Sequence, residues 1–133
     1  MLFFIVYSSI SFAPNAPVII NIPKAVEINT ASIYEPLIEA ISVIESSRND
    51  SAYNKLENAV GRLQIRQCRI EHFNNLTGKN YTLSDMYDFK KAREVFLYFA
   101  EGKSFEQAAK NWNGSGPLTI KYWEKVSAIL QKV

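Results

Sequence analysis

The chain has a single cysteine, Cys68, so no intrachain disulfide can brace it. It has a single histidine, His72, one helical turn further on, and two such side chains do not make a zinc site. Nor is a histidine placed in the order a catalytic thiol requires. Both residues read as structural, Cys68 as a small apolar residue on a helix. An excess of one charge is also lacking: 15 Lys and Arg meet 13 Asp and Glu, for a net charge of +2. So small an excess gives no ground for a nucleic-acid partner. There is no internal repeat, heptad run or Gly-rich phosphate loop, which leaves out solenoids, coiled coils and P-loop nucleotide binding. The N-terminal apolar run, Leu2-Phe3-Phe4-Ile5-Val6-Tyr7, is too short to span a bilayer. Neither a metal nor a cofactor is expected.

What is present suits one domain: 133 residues, long enough for a real core. At 47% hydrophobic and 21% charged the composition is ordinary, while 13% aromatic is somewhat high and suits a core or a groove that stacks sugar rings. The first 31 residues stand apart. After the apolar run the chain turns Ser-rich, and Ser11-Phe12-Ala13 has the small-x-small form of a signal cleavage site. No Lys or Arg precedes the run, and Pro14 would follow the cut, so a flexible or strand-like arm is an equal reading. Pro14, Pro17 and Pro23 argue against helix through 18–28. We read 1–31 as leader plus linker and 32–133 as the domain.

Within the domain the signals are mainly helical. Ser32 to Glu35 fits a capping box, with Pro36 in the first turn. Tyr34, Leu37, Ile38, Ile41 and Ile44 then recur at three and four, predicting a helix to about Ser47. Residues 48–51 are turn chemistry, and 50–65 read as an irregular or short-strand segment. Helix returns over 67–76 with Cys68, Ile70, Phe73 and Leu76 inward and Gly78 as C-cap. Thr82 or Ser84 caps a short turn. Residues 90–100 form a helix on Ala92, Val95, Phe96 and Phe99, ended by Gly102. Ser104 with Gln107 is a second capping box, opening a helix to Trp112. The last helix, 119–130, should bury Ile120, Trp123, Val126, Ile129 and Leu130. The expected fold class is mainly α, with a short irregular or β segment.

Two stretches organise this domain: Ile44-Glu45-Ser46, and Ala59-Val60-Gly61-Arg62-Leu63-Gln64-Ile65. Glu45 ends an apolar helix beside a buried face. Partial desolvation raises a carboxyl's pKa and keeps its proton near neutrality, as a general acid requires. Gly61 permits a close backbone approach. Gln64, between Leu63 and Ile65, should point opposite to them, into a groove. Each has a plainer alternative: a solvated helix end for Glu45, a helix-terminating hydroxyl for Ser46, a surface amide for Gln64, core packing for Trp112 and Tyr122.

Four segments in order resemble the lysozyme-like catalytic domain of lytic transglycosylases and goose-type lysozymes, glycoside hydrolase family 23. They are Glu45-Ser46, Gly61-Arg62-Leu63-Gln64, Asn111-Trp112-Asn113-Gly114 and Tyr122-Trp123-Glu124-Lys125-Val126, and the resemblance covers about 33–131. Arg62 and Leu63 replace the usual Leu-Met, and Trp112 replaces a Tyr. The resemblance implies a compact domain whose cleft is flanked by the 50–65 segment. It implies cleavage of the β-1,4 bond between N-acetylmuramic acid and N-acetylglucosamine in peptidoglycan. Glu45 would be the catalytic acid, and Ser46, Gln64, Trp112, Asn113 and Tyr122 would contact substrate, with Asn113 and Tyr122 near the acid as well as the sugar.

In transglycosylases no second carboxylate is needed: the sugar's 6-hydroxyl attacks and a 1,6-anhydro product forms. In hydrolysis a second carboxylate positions water. Asp50 and Glu57 are the candidates, Glu57 the better placed. Arg66 stands where goose-type lysozymes carry an Asp, and cannot act as a base. The expected partner is the glycan strand of peptidoglycan, with which the slight positive charge is compatible. The protein is expected to be a monomer, secreted, periplasmic or phage-encoded, with no nucleic acid and no membrane span. Two rivals remain. One is a lysozyme-like fold kept for wall binding or virion structure without turnover. The other is a helix-turn-helix over 104–130, although Glu124 interrupts Lys121, Lys125 and Lys132 there.

Overall fold

The structure, a computed structural model, describes residues 29–132. The leader and linker read from the sequence lie almost wholly outside the described residues. The chain enters at Asn29, whose Oδ1 accepts from the Ala31 N–H at 3.2 Å and caps a single turn, α1 (Thr30–Ile33). Tyr34 interrupts, and α2 (Glu35–Ser46) follows with Pro36 in its first turn, where no N–H is needed. The expected cap at Ser32 is therefore corrected. Ser32 lies inside α1, and the side chain that caps the chain's entry into helix is Asn29. α2 buries Leu37, Ile38, Ala40, Ile41 and Ser42, and each large aliphatic side chain so buried contributes about 1.5–3 kcal/mol. Ser47 adopts the left-handed conformation, φ 54°, and its N–H closes onto Ser42 and Val43, ending the helix.

The irregular segment is a small antiparallel sheet, β1 (Tyr53–Asn54), β2 (Ala59–Val60) and β3 (Ile65–Arg66), in that order. Tyr53 pairs with Val60, and Val60 in turn with Ile65. α3 (Gln67–Thr77) follows at once and ends at Gly78, φ 73°. Ile70 and Phe73 face the core as expected, but Cys68 and Leu76 do not: both are exposed, Leu76 by 54%. With only two fully buried side chains, the apolar stripe of α3 is narrower than the sequence pattern implied.

A 3-10 turn (Leu83–Tyr87) carries a capping box of Thr82 and Asp85. α4 (Phe89–Ala100) buries Ala92, Val95, Phe96 and Ala100, and is capped by Asp88. α5 (Phe105–Asn113) opens with the expected Ser104–Gln107 box. α6 (Leu118–Leu130) buries Thr119, Tyr122 and Val126, whereas Ile120 is 52% exposed. Of the face expected from the sequence, Val126 is buried and Trp123, Ile129 and Leu130 pack against the core, so only Ile120 departs. α6 packs on both α2 and α5, and α5 on α4. The result is mainly helical with a short sheet. No helix among the described residues is long and apolar enough to cross a membrane.

Candidate catalytic cleft

Because α6 packs on α2, Tyr122 is brought to the C-terminal end of α2 from 77 residues away, and its hydroxyl donates to Glu45 Oε1 at 2.5 Å. Burial pushes the Glu45 carboxyl above its ordinary value; the Tyr122 hydrogen bond opposes this, Glu57 adds to it and Arg66 opposes it. Burial also raises the Tyr122 phenol, as does the neighbouring Glu45 charge, so its hydroxyl is a fixed donor rather than a titrating group.

Gln64 sits between Leu63 and Ile65, which are 0% and 1% exposed. It adopts left-handed backbone, φ 50°, uncommon for a residue with a side chain. Its backbone N–H and its Nε2 both donate to Gly61 O, at 3.1 and 2.9 Å, which holds this tight turn in place. Such local strain concentrates at functional sites. Among the described residues Oε1 of Gln64 makes no hydrogen bond, which leaves an acceptor on the cleft wall.

The cleft in front of Glu45 has a volume of about 480 Å³. Glu57, Gln64, Trp112 and Asn113 line it, as the sequence suggested, together with Arg66, Cys68, Arg69, Ser115 and Leu118. Trp112 is mostly buried. Its Nε1 donates to Leu63 O at 3.2 Å and its ring packs edge-on against Phe96, so it ties α5 to the sheet while showing the cleft one face. Neither Ser46 nor Tyr122, both expected to contact substrate, lines the cleft, although Tyr122 meets the acid as the resemblance implies. Ser46 Oγ donates to Arg62 O at 2.8 Å and accepts from the Asn49 N–H at 3.1 Å, joining the end of α2 to the β2–β3 turn. Tyr122 acts through Glu45.

Of the candidate second carboxylates, Asp50 is held in a bidentate pair by Arg62, at 2.7 and 3.1 Å, and Arg62 lies over the Phe89 ring. Glu57 stands on the β1–β2 turn, whose backbone Asn54 Oδ1 secures by accepting from the Leu56 and Glu57 N–H groups. Glu57 takes part in no ion pair among the described residues, Lys55 included. His72 packs on Phe99, and the described residues contain no cluster of His, Cys, Asp and Glu fit for a metal.

Sequence reasoning missed Arg66 and Arg69 as cleft residues. Arg66 enters the sequence reading only as a residue unable to act as a base, and its place beside Gln64-Ile65 could have marked it as a cleft residue. Arg69 could not, because its position depends on contacts with Asn111 and Trp112, more than forty residues away. A smaller hollow of about 260 Å³ among Tyr34, Phe73, Leu97 and Tyr98 contains none of these groups. No protein-family model matches the chain, and no curated protein and no solved structure matches it either.

Proposed function

We propose that this chain is a lysozyme-like enzyme that cleaves the β-1,4 bond between N-acetylmuramic acid and N-acetylglucosamine, as a lytic transglycosylase with Glu45 as its one catalytic carboxyl. The observation that carries the reading is the Glu45 carboxyl itself. It is desolvated at the end of α2, oriented by Tyr122, and opens onto a cleft that also holds Gln64 and Asn113. A carboxyl with a raised pKa, fixed by a neutral donor, suits proton delivery near neutral pH. Glu45 gives its proton to the leaving glycosidic oxygen as the C1–O bond breaks. The 6-hydroxyl of the same muramyl residue then attacks C1 and returns its proton to Glu45. Bond and proton counts close without water, and the product is lighter than the hydrolytic one by one water.

Such an enzyme acts on the wall as a secreted, periplasmic or phage-encoded protein. One observation favours hydrolysis as a second reading: Glu57 shares the cleft, and its charge is felt at Glu45. Against it, Glu57 is exposed on a turn, and a catalytic carboxylate must be held at about 5 Å from the acid in a retaining enzyme and about 6.5–9.5 Å in an inverting one. Mass spectrometry of digested peptidoglycan decides between them. Fragments ending in 1,6-anhydro-muramic acid are expected; reducing ends that vanish in Glu57→Gln would make the protein a lysozyme.

Gln64→Ala and Tyr122→Phe should each lower specific activity while the fold persists. Tyr122→Phe has a further signature. The phenol favours ionised Glu45, so its loss should raise the Glu45 pKa further and shift the alkaline limb of the pH–rate profile upward. Both variants melting early with normal specific activity would return these residues to a purely structural role.

A further inference from the structure

Two of the cleft residues are cationic, and neither has a part in the chemistry above. Arg69 is already engaged. Its Nη2 donates to Asn111 O at 3.0 Å and Trp112 O at 3.1 Å, and its guanidinium lies over the rings of Trp112 and Phe99. Arg66 is not. It is exposed, lines the same cleft as Glu45 and Glu57, and makes no side-chain hydrogen bond or ion pair with the described residues. Its charge lowers the Glu45 pKa, so less of that carboxyl keeps its proton near neutrality. A cation at the cleft also opposes an oxocarbenium-like state. A free guanidinium there hinders the reaction unless something neutralises it on binding. The protein's own candidate, Glu57, is not paired with it, which leaves the substrate.

Resting on the peptidoglycan reading, we propose that Arg66 pairs with a carboxylate carried by the muramyl residue of the bound strand, and so selects substrate by charge. A planar guanidinium takes a carboxylate through two parallel hydrogen bonds, a geometry a neutral sugar cannot satisfy. Pairing also removes the opposition to Glu45 only when the matching strand is in place. The carboxylate has two sources: the free lactyl group of a peptide-stripped strand, or the carboxylates of the stem peptide.

Cys68 supplies a readout of binding without turnover. It is the chain's single cysteine, is exposed, and lines the same cleft. Its maleimide labelling rate, with ligand over without, is measured in the Glu45→Gln protein so that strands remain uncut. Peptide-stripped glycan should protect Cys68, and conversion of its lactyl carboxylates to amides should weaken that protection roughly 10–100-fold. Arg66→Gln should erase the difference between acid and amide, and Arg66→Lys should keep part of it. Intact muropeptides, whose lactyl carboxyl is already an amide, identify the source. Protection above that of the amide, and lost in Arg66→Gln, assigns the stem carboxylates; protection equal to the amide assigns the lactyl group. The proposal is overturned if neither the acid strand nor the intact muropeptide protects more than the amide, or if the difference survives Arg66→Gln. Digestion of peptidoglycan by the unmutated protein tests the parent reading separately.

Discussion

Glu45→Gln should abolish glycan cleavage, by about 10²–10⁴-fold, and leave a folded protein. Gln is nearly isosteric, and its carbonyl can still accept the Tyr122 hydroxyl that now donates to Oε1. The variant should also reveal a stability penalty in the native site. The folded Glu45 carboxyl titrates above its ordinary 4.5, chiefly through burial, so the native state holds a proton that the unfolded chain releases. Its contribution to stability is complete below the unfolded value and is lost as pH rises through the folded one. Melting temperatures of the two proteins should therefore coincide in acid and diverge towards neutrality, with Glu45→Gln the more stable. The check is a pair of Tm-against-pH curves beside an activity assay. A well-folded variant that still cuts the wall polymer sinks the catalytic assignment.

The second large effect is on the fold. Gly61→Ala should lower Tm by about 10–20 °C. A Cβ at this position would lie 2.1 Å from Met86 O and 3.0 Å from Met86 C, both backbone atoms of the 3-10 turn, and the local φ is 79°. Left-handed strain of about 1–2 kcal/mol is joined by an overlap that only backbone movement can relieve, about 1–3 kcal/mol more. Activity should fall further than stability alone explains, because Gln64 is positioned by two hydrogen bonds to Gly61 O. Gly102→Ala is the control, since φ there is 72° but nothing lies within 4 Å. Thermal melts of both variants, with activity measured well below Tm, test this. Equal melting of Gly61→Ala and Gly102→Ala would contradict it.

The helices were legible because their signals are local. The Ser104–Gln107 box, the Gly78 cap and the three-and-four spacing from Leu37 to Ile44 each lie within a few residues, and each appears in the structure. The break from helix into an irregular or short-strand segment was legible for the same reason, since its strand pairs, such as Tyr53 with Val60, lie close in the chain. The need for glycine at Gly61 was also readable, as was the opposition of Gln64 to Leu63 and Ile65.

Which face of a helix turns inward was decided by its neighbours. Both Thr119 and Ile120 fit a helix, and only the packing of α6 on α2 and α5 buries the first and exposes the second. Cys68 looked like core and opens on the cleft. Ser46 looked like a ligand and ties the end of α2 to Arg62 O, while Arg62 and Asp50 pair across twelve residues. By itself, then, the sequence determined the main helical segments, the short irregular or strand segment between them and the residue types able to carry acid chemistry. The tertiary structure alone decided that the Tyr122 hydroxyl donates to a desolvated Glu45 and that Arg66 remains unpaired in the same cleft. Capping and periodicity are set by nearest neighbours along the chain, whereas the environment of a carboxyl is set by whatever distant surface folds against it.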